Sequence, residues 1–414
     1  MKGKRALIVL VFSIGVGLLA TSVFLLGMAA ANGPGLTCSV PDDHSTIQAA
    51  VNDLSCDSIN VGPGTFDENV TINRTVTIQG QGISSTTVDG RGLGSVFTIP
   101  PDVSATLGDM TIANGAADQG GGINNLGLLV LVNSVVTGNE AYDGAGIDNE
   151  GIAHVSGSTL SENYAVQGGA IYNHKRMTVI SSTLQSNRAK YRGGAILSRG
   201  NLTVTNSTVS GNVVETSQPA DANGGGGFFL YDVTRFHLTN STVSSNTAVA
   251  GGGIVTFVFE RPVITLTNST LYGNSAEIGG GVRMLVVTPT VSAVNTIIAG
   301  NTGGDCLGGT ILSRGHNING DDSCGLAGSG DMNGTDPLLG PLGDHGGPTL
   351  THLPLAGSPA IDAGDDSLCP PTDQRGYARP DHGKVYGIAV CDIGSVEVRP
   401  PILEVRVYAP ILSK

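Results

Sequence analysis

A seven-residue segment that ends in asparagine recurs along the middle of the chain. It reads NSVVTGN at 133–139 and NSTVSGN at 206–212, and its last asparagine always lies six residues after the first position. A glycine-rich block and an aliphatic residue follow, and the early copies repeat every 24 to 25 residues. This period is too short for a strand–helix–strand unit and shows no helical spacing of apolar residues. It predicts an all-β fold, a right-handed parallel β-helix whose coils of about 24 residues each supply short strands.

Stacked coils place matching residues of the repeat in columns along the axis. The last asparagine of each segment is then predicted to form a ladder of side-chain amides. Its members would be Asn139, Asn163, Asn187, Asn212, Asn246, Asn274 and Asn301. The glycines allow a tight corner, and the aliphatic residue after them enters the core. N-x-S/T sequences at Asn201, Asn206, Asn240 and Asn268 leave glycosylation open as an alternative reason for the asparagines.

The ends of an open β-stack need caps. At the front, residues 45–54 predict a short amphipathic helix with Ser45 as the N-cap, and with Ile47, Ala50, Val51 and Leu54 on one face. The six cysteines fall into local pairs near the ends of the repeat, which favours short disulfide loops and an oxidising compartment, although spacing alone leaves the connectivity open. The pairs are Cys38 with Cys56, Cys306 with Cys324, and Cys369 with Cys391.

The N-terminus has the pattern of an export signal. Three basic residues precede an apolar run that ends before Ala29-Ala30-Ala31, a candidate cleavage site; an uncleaved membrane anchor is the alternative. Residues 1–31 carry three positive charges and no negative one, so their removal takes the net charge from −13 to −16. Such an acidic chain is a poor partner for nucleic acids or anionic membranes. We expect an extracellular or cell-surface monomer that contacts a membrane only through an uncleaved N-terminal segment.

Several motifs resemble known families. The pair STIQAAV and VGPGTFDENVTI resembles the N-terminal region of pectin-lyase-like parallel β-helix proteins, and the recurring SxN…A…GGAI pattern is similar to repeats of polymorphic outer-membrane proteins. The C-terminal stretches at 336–364, 369–380 and 391–397 resemble the bacterial choice-of-anchor Q domain, which implies a cell-surface protein.

These patterns divide the chain into five parts. We assign residues 1–31 to the signal or anchor, 32–118 to the N-terminal cap and first coils, and 119–302 to the repeat β-helix. Residues 303–398 form the choice-of-anchor Q-like region and cap, and 399–414 form a tail.

The pectin-lyase-like fold hosts both enzymes and non-enzymes, so function depends on which side chains share a column. The column three residues after the core aliphatic holds Glu150, His174 and Arg199 on consecutive coils. A carboxylate beside a histidine is suited to acid–base catalysis, and an arginine to an acidic sugar. The alternative is a solvated column of opposite charges. The column just before the glycines holds one carboxylate, Asp143, without a partner in that column.

The coils after residue 225 have longer arcs that are rich in aromatic and basic residues. Because aromatic faces beside arginine suit saccharides, these residues are glycan-binding candidates, although they can equally cover the wall of longer coils. The candidates are Tyr231, Arg235, Phe236, His237, Phe257, Phe259 and Arg261.

Calcium is the only metal that the sequence raises. An Asp- and Gly-rich stretch offers oxygen ligands at Asp321, Asp322, Asp331 and Asp336, but such loops are usually turns, so no cofactor is required. The sequence therefore predicts an exported, disulfide-pinned rod with a structural, adhesive or glycan-binding role. The alternative is a polysaccharide lyase or glycoside hydrolase that acts on an acidic polysaccharide.

Overall fold

The computed structural model describes residues 35–216, 223–259, 262–286, 291–381 and 389–399. The predicted signal, residues 1–31, and most of the predicted tail lie outside these ranges. Among the described residues, no helix has the length and hydrophobicity needed to cross a membrane.

The described chain is a parallel β-solenoid built from four sheets, which we call A, B, C and D. Sheet A has twelve strands: Leu36–Val40, Cys56–Val61, Val76–Gln79, Ser104–Gly108, Leu128–Val132, Ile152–Ser156, Arg176–Ile180, Asn201–Thr205, Arg235–Thr239, Val263–Thr267, Val291–Val294 and Ile311–Ser313. Sheet B also has twelve: Gly64–Asp67, Thr86–Asp89, Thr111–Ala113, Val135–Thr137, Thr159–Ser161, Thr183–Gln185, Thr208–Ser210, Thr242–Ser244, Thr270–Tyr272, Ile297–Ala299, Ile318–Asn319 and Met332–Asn333.

The other two sheets are shorter. Sheet C has ten strands: Val70–Thr71, Phe97–Ile99, Ile123–Asn125, Ile147–Asn149, Ile171–Asn173, Ile196–Ser198, Phe228–Tyr231, Ile254–Phe257, Val282–Met284 and Cys306–Leu307. Sheet D has five: Ala116–Gln119, Glu140–Asp143, Tyr164–Gln167, Arg188–Arg192 and Val213–Val214. A central coil therefore passes through sheets A, B, D and C in that order before it returns to sheet A.

Strand register confirms the predicted period. In sheet A, Leu128 pairs with Ile152 and Ile152 pairs with Arg176, so consecutive coils are 24 residues apart. The aliphatic residue after each glycine block enters the interior, as predicted, and Ile147 and Ile171 are completely buried there. Phe228 occupies the same position two coils after Ile171, and it pairs with Ile196 and Ile254 on the adjacent coils.

The predicted asparagine ladder is present inside the bend between sheets B and D. The side-chain amide of each asparagine donates to the side-chain oxygen of the next at 2.8–3.0 Å, from Asn139 through to Asn301. Each accepting oxygen also takes a backbone N–H from the preceding asparagine, such as Asn163 N–H to Asn187 Oδ1 at 3.2 Å. The ladder ends on Asp305, whose Oδ1 accepts from Asn301 at 2.9 Å. A carboxylate, which only accepts, suits this last position.

The first position of each repeat has a different structural cause. Its residue takes a left-handed backbone conformation where the chain turns from sheet A to sheet B, with φ of 46° at Asn133 and 44° at Asn240. Asparagine tolerates this conformation better than most residues. At the corner before sheet C, Gly168 has a φ of 66°, and a Cβ there would lie 2.4 Å from the carbonyl oxygen of Ile171. Only glycine fits this corner.

The capping helix is present but shorter than predicted, at Ile47–Asn52. Its N-cap is Thr46 rather than Ser45, and the Thr46 hydroxyl accepts from the Ala49 N–H at 3.0 Å. Leu54 is 81% exposed, so its assignment to the buried face is wrong. The helix ends before Leu54 because Asp53 takes an extended conformation and accepts from Ser55 N–H and hydroxyl.

All three cysteine pairs form disulfides: Cys38–Cys56, Cys306–Cys324 and Cys369–Cys391. The first closes a loop around the capping helix, and the other two lie in the C-terminal region. Short closed loops of this kind stabilise the ends of the stack, where fraying would begin.

The C-terminal segment folds back over the outer face of sheet B, and we call it the C-terminal cap (residues 336–381 and 389–399). It contains an antiparallel hairpin of Leu339–Gly343 and Thr351–Pro354. The Thr208 hydroxyl donates to the Leu350 carbonyl, and the Thr242 hydroxyl lies 2.7 Å from Gln374 Oε1. The outward threonines of the later coils of sheet B, Thr208, Thr242 and Thr270, are therefore buried beneath the chain's own C-terminal segment.

A group of buried charges holds the cap together. Arg379 is fully buried at its side chain, 3.5 Å from Glu397, and it donates to the backbone carbonyls of Asp392 and Gly394. Arg375 pairs with Asp373 at 2.7 Å. Burial, and then the nearby Glu397, raise the pKa of Asp392 to about 7. These residues belong to the stretches that carried the choice-of-anchor resemblance, and here they serve internal packing.

Candidate functional site

The outer face of sheet C carries a different type of side chain on almost every coil. Strand residues alternate between the interior and this face, so the residue after each core aliphatic points outward. The outward column is Asn124, Asp148, Tyr172, Leu197, Phe229 and Val255. Its later members form a hydrophobic cluster separate from the main core, with Tyr231, Phe257 and Leu285 packed against it. This column is the floor of the feature that we call the outer groove.

Two further columns flank this floor. One is the predicted column three residues after the core aliphatic, and its register is seen in the pairing of Tyr231 with Phe257. The other is the column before the glycines, in which Asp143 pairs with Gln167 and Gln167 with Arg192. The outer groove thus runs along the axis of the coils.

A cleft of about 230 Å³ lies in the middle of the outer groove. Gln167 and Arg192 line it from one side, Arg199 and Tyr231 from the other, and Tyr172 and Leu197 from the floor. The Arg199 guanidinium lies over the Tyr231 ring, with 4.9 Å between its central carbon and the ring centroid. Arg192 lies similarly over Phe229 at 5.5 Å. Two guanidinium groups on one coil therefore face each other across a floor with an aromatic edge.

Arg199 stands out by its partners. It lies near the Tyr172 hydroxyl, where its charge opposes the rise that burial causes in the pKa of Tyr172, and it stacks on Tyr231. Within the part of the chain that the structure describes, it has no carboxylate within ion-pair distance. In a chain with 34 acidic and 21 basic residues, an arginine without a carboxylate partner is available for an external anion.

Asp148 and His174 form a contact between neighbouring coils at the acidic end of the outer groove. His174 Nε2 lies 3.1 Å from Asp148 Oδ1, and the His174 ring stacks on Tyr172 with centroids 3.9 Å apart. The Asp148 side chain has no exposed surface, whereas His174 is 26% exposed. Burial raises the pKa of Asp148, and the hydrogen bond from His174 opposes that rise.

Asp143 lies beside this pair. Its Oδ1 accepts from Gln167 Nε2 at 3.3 Å. Burial, followed by the neighbouring Asp148, raises the pKa of Asp143 to about 6. The sequence interpretation, which left Asp143 without a partner in its own column, missed this neighbour because the two aspartates come from different columns of one coil.

The three predicted catalytic residues do lie on consecutive coils, but each has a different neighbour. Glu150 accepts from Gln119 at 3.2 Å, His174 bonds to Asp148, and Arg199 contacts Tyr172 and Tyr231. Of the three, Arg199 alone lines the cleft. Asp148 and Tyr172 were missed, although Asp148 is a carboxylate whose neighbours in the column are the amide Asn124 and the aromatic Tyr172. That contrast is a signal the sequence contains.

The predicted glycan-binding residues separate into different surfaces. Tyr231, Phe257 and Phe259 form a chain of rings, with centroids 5.4 and 4.9 Å apart, and Phe259 is 59% exposed. Phe236 is completely buried against Phe228 in the interior, so its assignment to a ligand surface is wrong.

The remaining members of that set lie elsewhere. Arg235 and His237 project from the outer side of sheet A, and His237 Nδ1 lies 2.6 Å from the Thr265 hydroxyl. Arg261 lies outside the described residues.

The calcium candidates act as turn residues. Asp321 Oδ1 accepts from Ser323 and Asn319, Asp331 Oδ1 accepts from Asn317, and Asp336 Oδ1 accepts from the Leu338 N–H. Asp322 lies in the same turn with a φ of 66°. Among the described residues, the one tight group of potential metal ligands is Cys38, His44, Asp53 and Cys56, whose two sulfurs are joined in a disulfide.

Comparison with protein-family models, with curated proteins and with solved structures finds no match for this chain.

Proposed function

We propose that this protein is an exported bacterial β-solenoid, secreted or held at the cell surface, whose outer groove binds a linear acidic glycan. The cleft carries this proposal, because Arg199 lies over Tyr231 opposite Arg192. Aromatic rings bind the apolar faces of sugars, and arginine binds carboxylate or sulfate groups with charge-assisted hydrogen bonds.

The direction of the outer groove supports a polymeric ligand. The coils repeat at about 4.8 Å, close to the length of one sugar residue, so a chain laid along the axis meets one set of side chains per coil. Tyr231, Phe257 and Phe259 continue the surface beyond the arginines. A polysaccharide of a cell wall, capsule or matrix has this shape. The N-terminal export pattern, the disulfides and the resemblance to pectin-lyase-like and choice-of-anchor Q surface proteins support the location.

A second candidate is a carbohydrate-active enzyme of the lyase or glycoside hydrolase class. The observation that favours it is the proximity of Asp143 to the Asp148–His174 pair, since a carboxyl group with a pKa of about 6 can act as a general acid. The burial of Asp148 argues against direct contact between that carboxylate and a substrate.

The test is a binding screen of the secreted chain against acidic and neutral polysaccharides. We expect Arg199→Ala combined with Tyr231→Ala to weaken binding of polygalacturonate by about tenfold or more, because both a charge-assisted bond and a stacking surface are lost. Arg235→Ala is the matched control, since it removes an exposed arginine from the outer side of sheet A. Equal loss in both variants, or no binding by wild type, would refute the proposal. Shortened products in the same reactions would favour the enzyme.

A further inference from the structure

The charges along the outer groove are unevenly distributed. The single coil just before the cleft contributes three carboxylates, Asp143, Asp148 and Glu150, and the coil at the cleft contributes Arg192 and Arg199. When all three carboxylates are ionised and His174 is neutral, negative groups outnumber positive ones at a site suited to an anion. The charge state of these carboxylates therefore sets how strongly the cleft attracts a negative ligand.

Asp148 and His174 are in direct contact, with 3.1 Å between Nε2 and Oδ1. With Asp148 ionised and His174 neutral, the pair carries one negative charge. Burial raises the pKa of Asp148, and protonation of this carboxyl group brings the charge of the pair to zero.

Unsatisfied oxygen atoms indicate where a proton fits. Asp148 Oδ2 and Asn124 Oδ1 are both buried without a hydrogen-bond partner, and the two residues are direct neighbours across adjacent strands. A proton on Asp148 Oδ2 turns this unsatisfied acceptor into a donor, on the coil next to the one that carries Asn124. A buried acceptor without a donor is costly, so the geometry favours the protonated acid.

Asp143 responds in the same direction. Its neighbours are Asp148, His174 and Gln167, and the tyrosine hydroxyl of Tyr172 and the guanidinium of Arg199 lie on the adjoining side of the floor. Protonation of Asp143 relieves its repulsion from Asp148. Its pKa of about 6 places that protonation in mildly acidic solution.

We propose that the outer groove is an acid-strengthened anion site: Asp143 and Asp148 each take up a proton as the solution is acidified, and the cleft then binds anionic glycan more tightly. Two negative charges then disappear from the coil that precedes the cleft. This inference rests on the proposed glycan-binding function and adds its regulation. The ligand's own carboxylates ionise at lower pH, so its charge stays in place.

The experiment measures binding of a galacturonate oligosaccharide by calorimetry near pH 5 and near pH 7.5, in buffers of different ionisation enthalpy. We expect the dissociation constant to fall by about tenfold on acidification, with net proton uptake on binding near neutral pH. Asp143→Asn is expected to bind more tightly than wild type at neutral pH and to show a smaller pH response. Asp148→Asn should also reduce that response, because it removes the second carboxyl group that takes up a proton.

Glu140→Gln is the matched control, because it removes one exposed carboxylate from the same strand as Asp143. This variant should keep the full pH response. Binding of equal strength at both pH values would overturn the acid effect and leave the glycan-binding function standing. An acid effect that persists unchanged in both Asp143→Asn and Asp148→Asn would also overturn it. Absence of binding at both pH 5 and pH 7.5 would refute the glycan-binding function itself, and the regulation with it.

Discussion

The outer faces of sheets B and C belong to the same coils but differ in what covers them. The C-terminal cap lies on sheet B, and its buried arginines meet carboxylates, as in the pair of Arg379 with Glu397. Sheet C has an open cleft, where Arg199 has no carboxylate partner among the described residues and Asp148 has an unused buried oxygen. Both faces depart from the repeat. The covered face pairs Arg379 with a carboxylate of the chain, whereas the open face leaves Arg199 available to a ligand.

The comparison predicts opposite consequences of removing charge. On the covered face a buried charge is a structural partner, so its loss should destabilise the protein. On the open face a buried charge is a cost that the fold tolerates, so its loss should stabilise the protein or leave it unchanged.

The largest effect is expected for Arg379→Met in the cap. The substitution leaves Glu397 buried without its cation and removes donors to the carbonyls of Asp392 and Gly394. We expect a loss of about 3–5 kcal/mol in the free energy of unfolding of the cap. Hydrogen exchange of the cap amides, compared with those of sheet A, measures this loss locally.

Arg399→Met provides the control for that variant. Arg399 pairs with Asp381 at 3.2 Å, but both side chains are substantially exposed. Exposed pairs of this kind contribute about 1 kcal/mol or less. If both substitutions changed cap stability by the same amount, the distinction between a structural and an available charge would be lost.

The next effect is the dependence of cap stability on pH. The folded state raises the pKa of Asp392 to about 7 by burial and by its proximity to Glu397, so it binds this proton more tightly than the unfolded chain does. Stability contributed by this group is therefore present in acid and is lost as the pH rises through about 7. We expect wild type to lose on the order of 2 kcal/mol relative to Asp392→Asn between pH 5 and pH 8.

Chemical denaturation at the two pH values measures that difference. Asp344→Asn removes an exposed carboxylate of the same cap and should follow wild type. A stability of Asp392→Asn that changed with pH as steeply as wild type would contradict the assignment of the proton to this residue.

The sequence predicted the parts of the fold that repeat. The asparagine ladder follows from spacing alone, because stacking turns a periodic residue into a column of neighbours. A second buried column from Asn125 through Asn149 to Asn173 escaped notice, although its amides also bond in series, at 2.6 and 2.8 Å. It follows the core aliphatic by two residues and extends over few coils, so its period was weak.

The parts that do not repeat were harder to predict. Phe236 was assigned to the surface because its arc was longer, yet strand alternation places it in the core between Leu202 and Ile264. Docking of the cap on sheet B joins residues more than a hundred positions apart, such as Thr208 and Leu350, and no local pattern records such a contact. Likewise, Asp143 ends a strand of sheet D and Asp148 lies in sheet C, so they become neighbours only because the chain turns sharply between these two sheets.

The smallest effect tests the open face directly. Asp148 lies on a floor whose next members are Tyr172 and Leu197, and its carboxylate has one unused buried oxygen. Asp148→Leu removes a desolvated charge. His174 loses its carboxylate partner but is partly exposed, so its ring can hydrogen-bond to water instead. We therefore expect a gain of about 1 kcal/mol in the free energy of unfolding at neutral pH, together with a weaker pH response of glycan binding. Urea denaturation of Asp148→Leu, with Asp148→Asn as the variant of matched shape, measures the gain. A loss of stability in Asp148→Leu comparable with that of Arg379→Met would show that Asp148 is as structural as the charges of the cap, and the open face would then need another explanation.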